Sequence, residues 1–546
     1  MQTTTQATPG RLISGEEYRE SLRRYQPLVY VDGQRIESVV DAPALRPGVN
    51  ALAVSYDFAR DPAKAPLMTA VQSTSGRTVN RMLHVDESAG DLLNKLEAVR
   101  LLCQETGCAQ RYLAHDALNG IAQAVARIDA AEGSGDYRAR FAAYLEHVQD
   151  ADLSLGIAMT DAKGDRSRRP HQQANVDAYV HVVERDGRGI VISGTKAIVT
   201  AAPYVHELLV MPSRQMGEAD ADFAVCCALP VDAPGVTIVS RPAGRPGEKP
   251  EHGAPLFSRR YGQATAVVIF ERVFVPWERV FLAGEWAHSA IFTYAYATHH
   301  RHSCIGARAG FGDLLIGAGA LMCEANGLDP QRKASLREPM VELIKIVEGF
   351  YACGVAASVY AQPDAYSGNF MPDPVFANIG KLLLSTQIYD MHRLAHEVSG
   401  GLIVALPGPD EDHNPATAAT LAEVLRANPD VPYGKRVEVA RWLEDLTASY
   451  QGGWYSLISL HGGGSPAALK QEIWRNYPLG NKVELVERLL ERGALADESR
   501  SLARNRQPGR CCDAGCSQSG QAVMVALPTA GQSGAPNPEA TAKSSA

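Results

Sequence analysis

Apolar positions along this chain change their spacing twice, and the changes divide it into three parts. Ser14-Gly-Glu-Glu17 has the spacing of a helix capping box and opens a helical run to about Arg24. Leu28–Val31 and Gln34–Ile36 flank Asp32-Gly33, the two-residue turn of a hairpin. From 88 to 130, Leu92, Leu93, Leu96, Val99 and Leu102, then Ile121, Val125 and Ile128, recur at helical spacing with a break around Gly107. Asp136 to Gln149 continues the helical pattern, so residues 1–150 are expected to form a mainly helical domain.

Between about Ala158 and Val280 the apolar runs become short, β-branched and punctuated by Gly, Pro and Asp: 180–183, 189–193, 208–211, 223–227, 236–239 and 266–270. Residues 151–283 are therefore expected to form a β domain, a small barrel or a sandwich, with a loop at 244–253. Helical spacing then returns over roughly 289–326, 331–362, 375–399, 416–427, 434–457 and 466–495. Several of these stretches are apolar on more than one face, which suits the middle of a bundle over 284–498. The remainder, 499–546, is rich in Gly, Ser, Pro and Ala and reads as a disordered tail.

Composition narrows the class of protein. With 546 residues, 45% hydrophobic and 21% charged, the chain is that of an ordinary globular protein of two or three domains. A net charge of -8 spread along the chain supplies no basic face for nucleic acid. The polar N-terminus lacks a signal-peptide layout, and runs such as Leu314–Met322 fall short of a membrane span, so a cytoplasmic enzyme without membrane contact is expected. The ten cysteines are scattered and expected reduced; Cys511, Cys512 and Cys516 lack a second ligand pair for zinc.

Candidate chemistry concentrates in Tyr294 to Arg308, where His299, His300, His302, Arg301, Arg308 and Cys304 crowd ahead of an apolar helical run. Imidazoles at that density suggest either a site, a metal site included, or the polar surface end of a buried helix. No Gly-x-Gly-x-x-Gly follows a strand, so the chain is not expected to reduce a flavin with a nicotinamide cofactor itself.

Several segments, in order, carry a resemblance. Ala158-Met-Thr-Asp-Ala-Lys-Gly-Asp-Arg166, Ile192 to Thr200, Val273-Phe-Val-Pro-Trp-Glu-Arg-Val-Phe281, the His300 stretch, Ser399-Gly-Gly-Leu402 and Leu460-His-Gly-Gly-Gly-Ser-Pro466 resemble the 4-hydroxyphenylacetate 3-hydroxylase / 4-hydroxybutyryl-CoA dehydratase superfamily. The resemblance covers about residues 12–495. It implies an α+β, acyl-CoA dehydrogenase-like fold, with a β domain between two helical ones, in a homotetramer or homodimer.

Two chemistries belong to that superfamily. The dehydratase branch holds a four-iron cluster on three cysteines and a histidine; here the matching places carry Cys108, Tyr112, His300 and Ala307. The places of its two active-site glutamates carry Thr265 and Ile458, so no iron-sulfur cluster and no metal are expected. The hydroxylase branch uses reduced flavin and O2, and binds a phenol through Arg-x3-Tyr and a histidine; here Arg111, His115 and Ile157 stand at those places.

The resemblance therefore implies a reduced-flavin monooxygenase that takes FADH2 from a separate flavin reductase and oxidises a small aromatic or phenolic substrate. The alternative is a clusterless flavin-dependent dehydratase, isomerase or dehydrogenase acting on an acyl thioester. Expected flavin contacts are Met159, Thr160, Lys163, Asp165, Thr200, Ser449, Tyr450 and Gln451. Expected substrate contacts are Arg111, Tyr112, His115, Thr200, Ala201 and His300. Arg111 offers a fork for a carboxylate or phenolate, with His115 one helical turn later to take its proton; His300 is the expected catalytic residue. His299 and His302 are expected outside the site, and Cys108 and Cys304 as inert apolar side chains.

Overall fold

The computed structural model describes residues 8–9, 11–244 and 257–492. The expected loop at 244–253, beyond Gly244, and the expected tail at 499–546 lie outside the described residues.

The first helix, α1 (Gly15–Leu22), starts with the anticipated capping box: Ser14 accepts from the Glu17 amide and Glu17 reaches back to the Ser14 amide. The hairpin β1 (Leu28–Val31) and β2 (Gln34–Ile36) turns through Asp32 (φ +50°) and Gly33 (φ +77°), the left-handed pair that a two-residue hairpin turn demands. After α2 (Arg46–Arg60) come α3 (Ala89–Thr106), α4 (Tyr112–Glu132) and α5 (Asp136–Asp150). Gly107, at φ +64°, ends α3, which is the break visible in the apolar pattern.

The central region contains β3 (Leu155–Ala158), β4 (His181–Arg185), β5 (Gly189–Thr200), β6 (Glu207–Val210), β7 (Val225–Pro230), β8 (Val236–Ser240), β9 (Thr265–Pro276) and β10 (Val280–Ala283). They form two open sheets, ordered β10-β7-β6-β3 and β2-β1-β8-β9-β5-β4; among the described residues no barrel closes. Of the two expectations for this domain, the two-sheet form is the one found. The first sheet presents Leu208, Val210, Val225, Cys227 and Leu229, and the second Val29, Val31, Ile190, Ile192, Ile238, Val268 and Phe270, to one shared core. The N-terminal part is less purely helical than its pattern suggested, because β1 pairs in parallel with β8 and its hairpin extends the second sheet.

The helical bundle is built on α6 (Ser289–Ala325), flanked by α7 (Ala334–Val359) and α8 (Pro374–Ser399) and closed by α9 (Tyr433–Thr447), α10 (Tyr450–His461) and α11 (Pro466–Asn476). The expected helix 434–457 is two helices, because the Ser449 side chain caps the Gly452 amide and starts a new one. A further amphipathic helix, Leu479–Arg492, belongs to a separate unit from Pro478 onward. By length and composition α6 could cross a membrane, but 67% of its most apolar window is buried inside the protein, as suits a core helix.

Candidate active site

The expected site residues fall into two sets, one on the sheets and one inside the bundle. On the sheet side, the segment after β3 is fastened onto β5. Lys196 donates to the Met159 carbonyl at 2.9 Å and the Met211 carbonyl at 2.8 Å, and pairs with Asp161 at 2.7 Å. Asp161 in turn accepts from Ser213 Oγ (2.6 Å) and the Val180 amide (3.1 Å). Both charges of the pair are buried and hydrogen-bonded, which fixes the half-buried Met159 and Thr160 against β5. The loop turns at Lys163 (φ +75°), whose half-burial lowers its proton affinity, while Asp165 is exposed.

At the far end of β5, Thr200 faces Thr265 of β9 in register, and Ala201, at φ +62°, turns the chain. The Thr265 hydroxyl is buried and makes no hydrogen bond, and the Thr200 hydroxyl receives only a 3.4 Å contact from Gln263. Such a polar row needs a partner, so the residues present fit the polar edge of a flavin. Ile198 sits at φ +61° in a bulge beside it and is 52% exposed, a costly conformation for a β-branched residue.

Arg241, which nothing in the sequence singled out, ties this edge to the bundle. Its amide donates to the Thr265 carbonyl (3.2 Å), and its guanidinium lies 4.5 Å from the Tyr450 ring and 5.2 Å from Trp454. Ser449 is the helix cap, Tyr450 is half-exposed, and Gln451 lines a narrow cleft shared with Cys108, Phe257, Phe311 and Tyr455.

Inside the bundle, the histidine-rich stretch is not a surface helix end: residues 298–312 of α6 are all buried. His300 stacks between Tyr296 (ring centroids 5.3 Å apart) and Tyr112 (5.8 Å). Its Nδ1 meets Asp116 Oδ2 of α4 at 3.1 Å, and its Nε2 meets Cys304 Sγ at 3.6 Å. Asp116 is held by Ser303 Oγ (2.6 Å), which accepts from Lys95 of α3 at 2.8 Å. Lys381 of α8 donates to the Ser459 carbonyl (2.8 Å) and contacts Ser385. Arg308 donates to Ser459 Oγ (2.9 Å) and lies 4.6 Å from the Tyr455 ring. Gly463, at φ +78°, covers the imidazole so closely that a Cβ there would stand 3.2 Å from His300 Cδ2.

These surroundings move protons. Burial disfavours the charged forms of His300 and Cys304, but each opposes that for the other, aided by Asp116 for His300 and by Arg308 and Lys381 for Cys304; His300 is raised and Cys304 lowered. Burial brings Lys381 down to about 7. Burial pushes the Cys108 thiol up, as suits an apolar side chain, whereas Cys304 is lowered by neighbours the sequence could not place beside it.

His299 and His302 face away from His300. His299 points at Asp86 (3.8 Å) and burial lowers it to about 3, while His302 bonds Ser358 Oγ (2.8 Å) and the Gly354 carbonyl (3.1 Å). Arg111 and His115 share no partner. Arg111 pairs with Asp152, donates to the Asp152 and Leu153 carbonyls at 3.1 Å each and lies over the Tyr56 ring at 3.8 Å, its Nε and Nη1 making no hydrogen bond. His115 meets Asp86 at 3.1 Å and Asp116 at 3.6 Å.

The donors do not fit a four-ligand iron-sulfur cluster. Of the four matching places, Tyr112 fills one with a ring stacked on His300, and Ala307, fully buried, offers no donor at another. Among the described residues no group of three or more His, Cys, Asp or Glu side chains is gathered to hold a metal ion.

Comparison with known proteins agrees on one family. Residues 14–282 match the model of the 4-hydroxyphenylacetate 3-hydroxylase N-terminal domain, and residues 289–491 that of its C-terminal domain. The chain is 35% identical over 487 residues to 4-hydroxybutyryl-CoA dehydratase/vinylacetyl-CoA-Δ-isomerase of Clostridium aminobutyricum, covering 87% of this chain and 99% of that protein. It is 27% identical to the 4-hydroxyphenylacetate 3-monooxygenase oxygenase component of Thermus thermophilus, over 87% and 96% of the two chains. Among solved structures, an oxygen-tolerant archaeal 4-hydroxybutyryl-CoA dehydratase from N. maritimus superposes with a TM-score of 0.83 at 33% identity, over 89% of this chain and 96% of that one. An oxygenase component of 4-hydroxyphenylacetate 3-monooxygenase, solved with FAD and 4-hydroxyphenylacetate, shares the fold with a TM-score of 0.75 at 24% identity, over 88% and 98%. With both domain models matched in order and sheets and bundle arranged as in these relatives, the chain belongs to the 4-hydroxyphenylacetate 3-hydroxylase family.

Proposed function

We propose that this protein is a reduced-flavin monooxygenase: it takes FADH2 from a separate reductase and uses O2 to oxidise a small phenolic or related aromatic substrate. The observation that carries this reading is the donor set around His300: Tyr112 is stacked on the imidazole and Ala307 is buried, so the places that the resemblance gives to two cluster ligands carry no thiolate. A homotetramer in the cytoplasm is part of the proposal.

Met159, Thr160 and Thr200 would hold the polar edge of the flavin, with Thr265 adding an unengaged hydroxyl, and Lys163, Asp165, Ser449, Tyr450 and Gln451 would contact its outer parts. Bound FADH2 supplies the two electrons that O2 activation needs. The chain's own work is positioning and proton handling. Tyr112 and Tyr296 wall His300 from water, Lys381 and Arg308 supply positive charge for a phenolate, and His300 exchanges the phenol proton, held in orientation by Asp116.

Rapid mixing of the FADH2-loaded protein with aerated buffer tests this. The expected result is a transient absorbing species between reduced and oxidised flavin, with hydroxylated product when a phenol is present. Monotonic reoxidation with no product from any phenol tried would refute it.

A second reading, proton transfer on an acyl thioester without a cluster, is favoured by the 35% identity to the clostridial dehydratase/isomerase and by the acid–base pair of His300 and Cys304. Its signature is anaerobic exchange of substrate α-protons with D2O in the presence of FAD. Stoichiometric iron and sulfide in the purified protein would overturn both.

A further inference from the structure

Cys304, 2% exposed in the bundle core, nonetheless has the polar surroundings of an activated nucleophile. Its Sγ lies 3.6 Å from His300 Nε2, and the opposite ring nitrogen, Nδ1, lies 3.1 Å from Asp116 Oδ2. Thiol, imidazole and carboxylate thus stand in the order in which a base is oriented by one neighbour and activates the other. The carboxylate is fixed from behind by Ser303 Oγ at 2.6 Å and by Lys95, 3.7 Å away.

Every element packed around the thiol contributes a polar or charged group. On its own helix are His300 and Arg308; α4 brings Tyr112 and Asp116; α3 brings Lys95 and Cys103; α8 brings Lys381; α10 brings Tyr455. The positive groups Arg308 and Lys381 both favour the thiolate. Tyr455, only 3% exposed, lies with its ring 4.6 Å from the Arg308 guanidinium and its hydroxyl toward Cys103.

We propose that Cys304, with His300 and Asp116, is a covalent site for α,β-unsaturated carbonyl compounds. In the step proposed, the Cys304 thiolate forms a C–S bond to the β carbon. The π pair of the C=C bond moves to the α carbon, which takes the proton carried on His300; reversal breaks the C–S bond and returns the proton. No oxidant or reductant is consumed. Arg308 and Lys381 stabilise the enolate oxygen that develops. A quinone formed from an oxidised phenol and an enoyl thioester both belong to this class, so the site is independent of which activity under Proposed function is correct.

The test uses the full-length, FAD-loaded protein and does not measure turnover. The protein is exposed to acrylamide, a small α,β-unsaturated amide, at pH 6.5 and pH 9, and each cysteine is followed by peptide mass mapping. Cys304 is expected to react at least tenfold faster than Cys103 and Cys108 at pH 6.5, with little further gain at pH 9. Asp116→Asn and His300→Gln should slow Cys304 at pH 6.5 by about tenfold or more and restore a steep rise toward pH 9. Retained FAD binding and an unchanged melting profile qualify each variant as folded; Asp116→Glu, which keeps the carboxylate, should stay within about threefold of the native rate at pH 6.5. Separate arms with 1,4-benzoquinone and crotonyl-pantetheine identify the source: a mass increment on Cys304 from either supports the proposal and says which electrophile the site takes. A Cys304 that stays unmodified, or whose rate rises in the native protein as steeply with pH as that of Cys108, overturns it.

Discussion

Arg111 and Asp116 leave the first turns of α4 five residues apart, and both carry charge into a dry interior, yet the two surroundings differ in kind. Arg111 meets one buried carboxylate, two carbonyls and an aromatic face, so its charge is balanced on the spot. Asp116 meets a histidine that itself faces a thiol, and beyond it lie a lysine brought down to about 7 and an arginine. The first cluster pairs its charges within itself and holds the helix to the sheets, with Arg111 Nε and Nη1 left without hydrogen bonds. The second contains groups whose protons can be exchanged among neighbours at modest cost, which is what acid–base work requires.

Removing a group from either cluster should separate these roles. His300→Gln is expected to lower turnover by about 10²–10⁴-fold while leaving FAD binding and the melting temperature close to native, since it removes a proton carrier and keeps a polar side chain. An unfolded or flavin-free variant would place His300 in the structural cluster instead. Asp152→Ala should do the reverse, costing about 3–5 kcal/mol in urea unfolding because it strands Arg111 without its counter-charge. A loss under about 1 kcal/mol would mean that Arg111 is not closed in, and would reopen it as a substrate ligand.

A pH series probes the same closed region. His206 is bonded to Ser21 Oγ (2.7 Å) and the Ser154 amide (2.9 Å), and burial, with Arg111 adding to it, pushes its pKa down to about 3. The unfolded chain takes up a proton near 6.5 that the folded protein refuses, so this contribution to stability is complete above pH 6.5. It is lost as pH falls toward 3, at up to about 1.4 kcal/mol per pH unit. The stability of His206→Gln should therefore fall less steeply than that of the native protein between pH 6.5 and 4; equal slopes would contradict the assignment.

The smallest effect expected is at Gly463. Gly463→Ala and Gly133→Ala both force an alanine to a left-handed backbone, at φ +78° and +68°, and each should cost about 1–2 kcal/mol. Only at Gly463 does the added methyl meet His300, so only that variant should also lose activity.

Most of the helices and the two-sheet domain were legible because their cause is local: a capping box at Ser14, a turn at Asp32-Gly33, a left-handed stop at Gly107, β-branched runs between breakers. What misled was also local. The stretch 434–457 has continuous helical spacing, and only the Ser449 cap divides it. Arg241 gave no signal at all, being one basic residue after a strand until the fold laid it over Tyr450 and Trp454. Arg111 and His115, one turn apart, looked like partners, yet their side chains reach Asp152 and Asp86, residues that neither spacing nor composition connects to them.

By itself the sequence determined the order of elements, the helix that carries the histidines, and the residue types at 112 and 307, since each depends on residue type at a known place along the chain. The resemblance singled out His300 among those histidines, but its surroundings were decided by tertiary structure alone. His299, His300 and His302 are near neighbours on one helix, and only the packing of α3, α4 and α8 gives one of them an aspartate on one side and a thiol on the other. Proton affinity in a dry interior follows the nearest charges, and these come from residues close to two hundred positions away, as Asp116 does for His300.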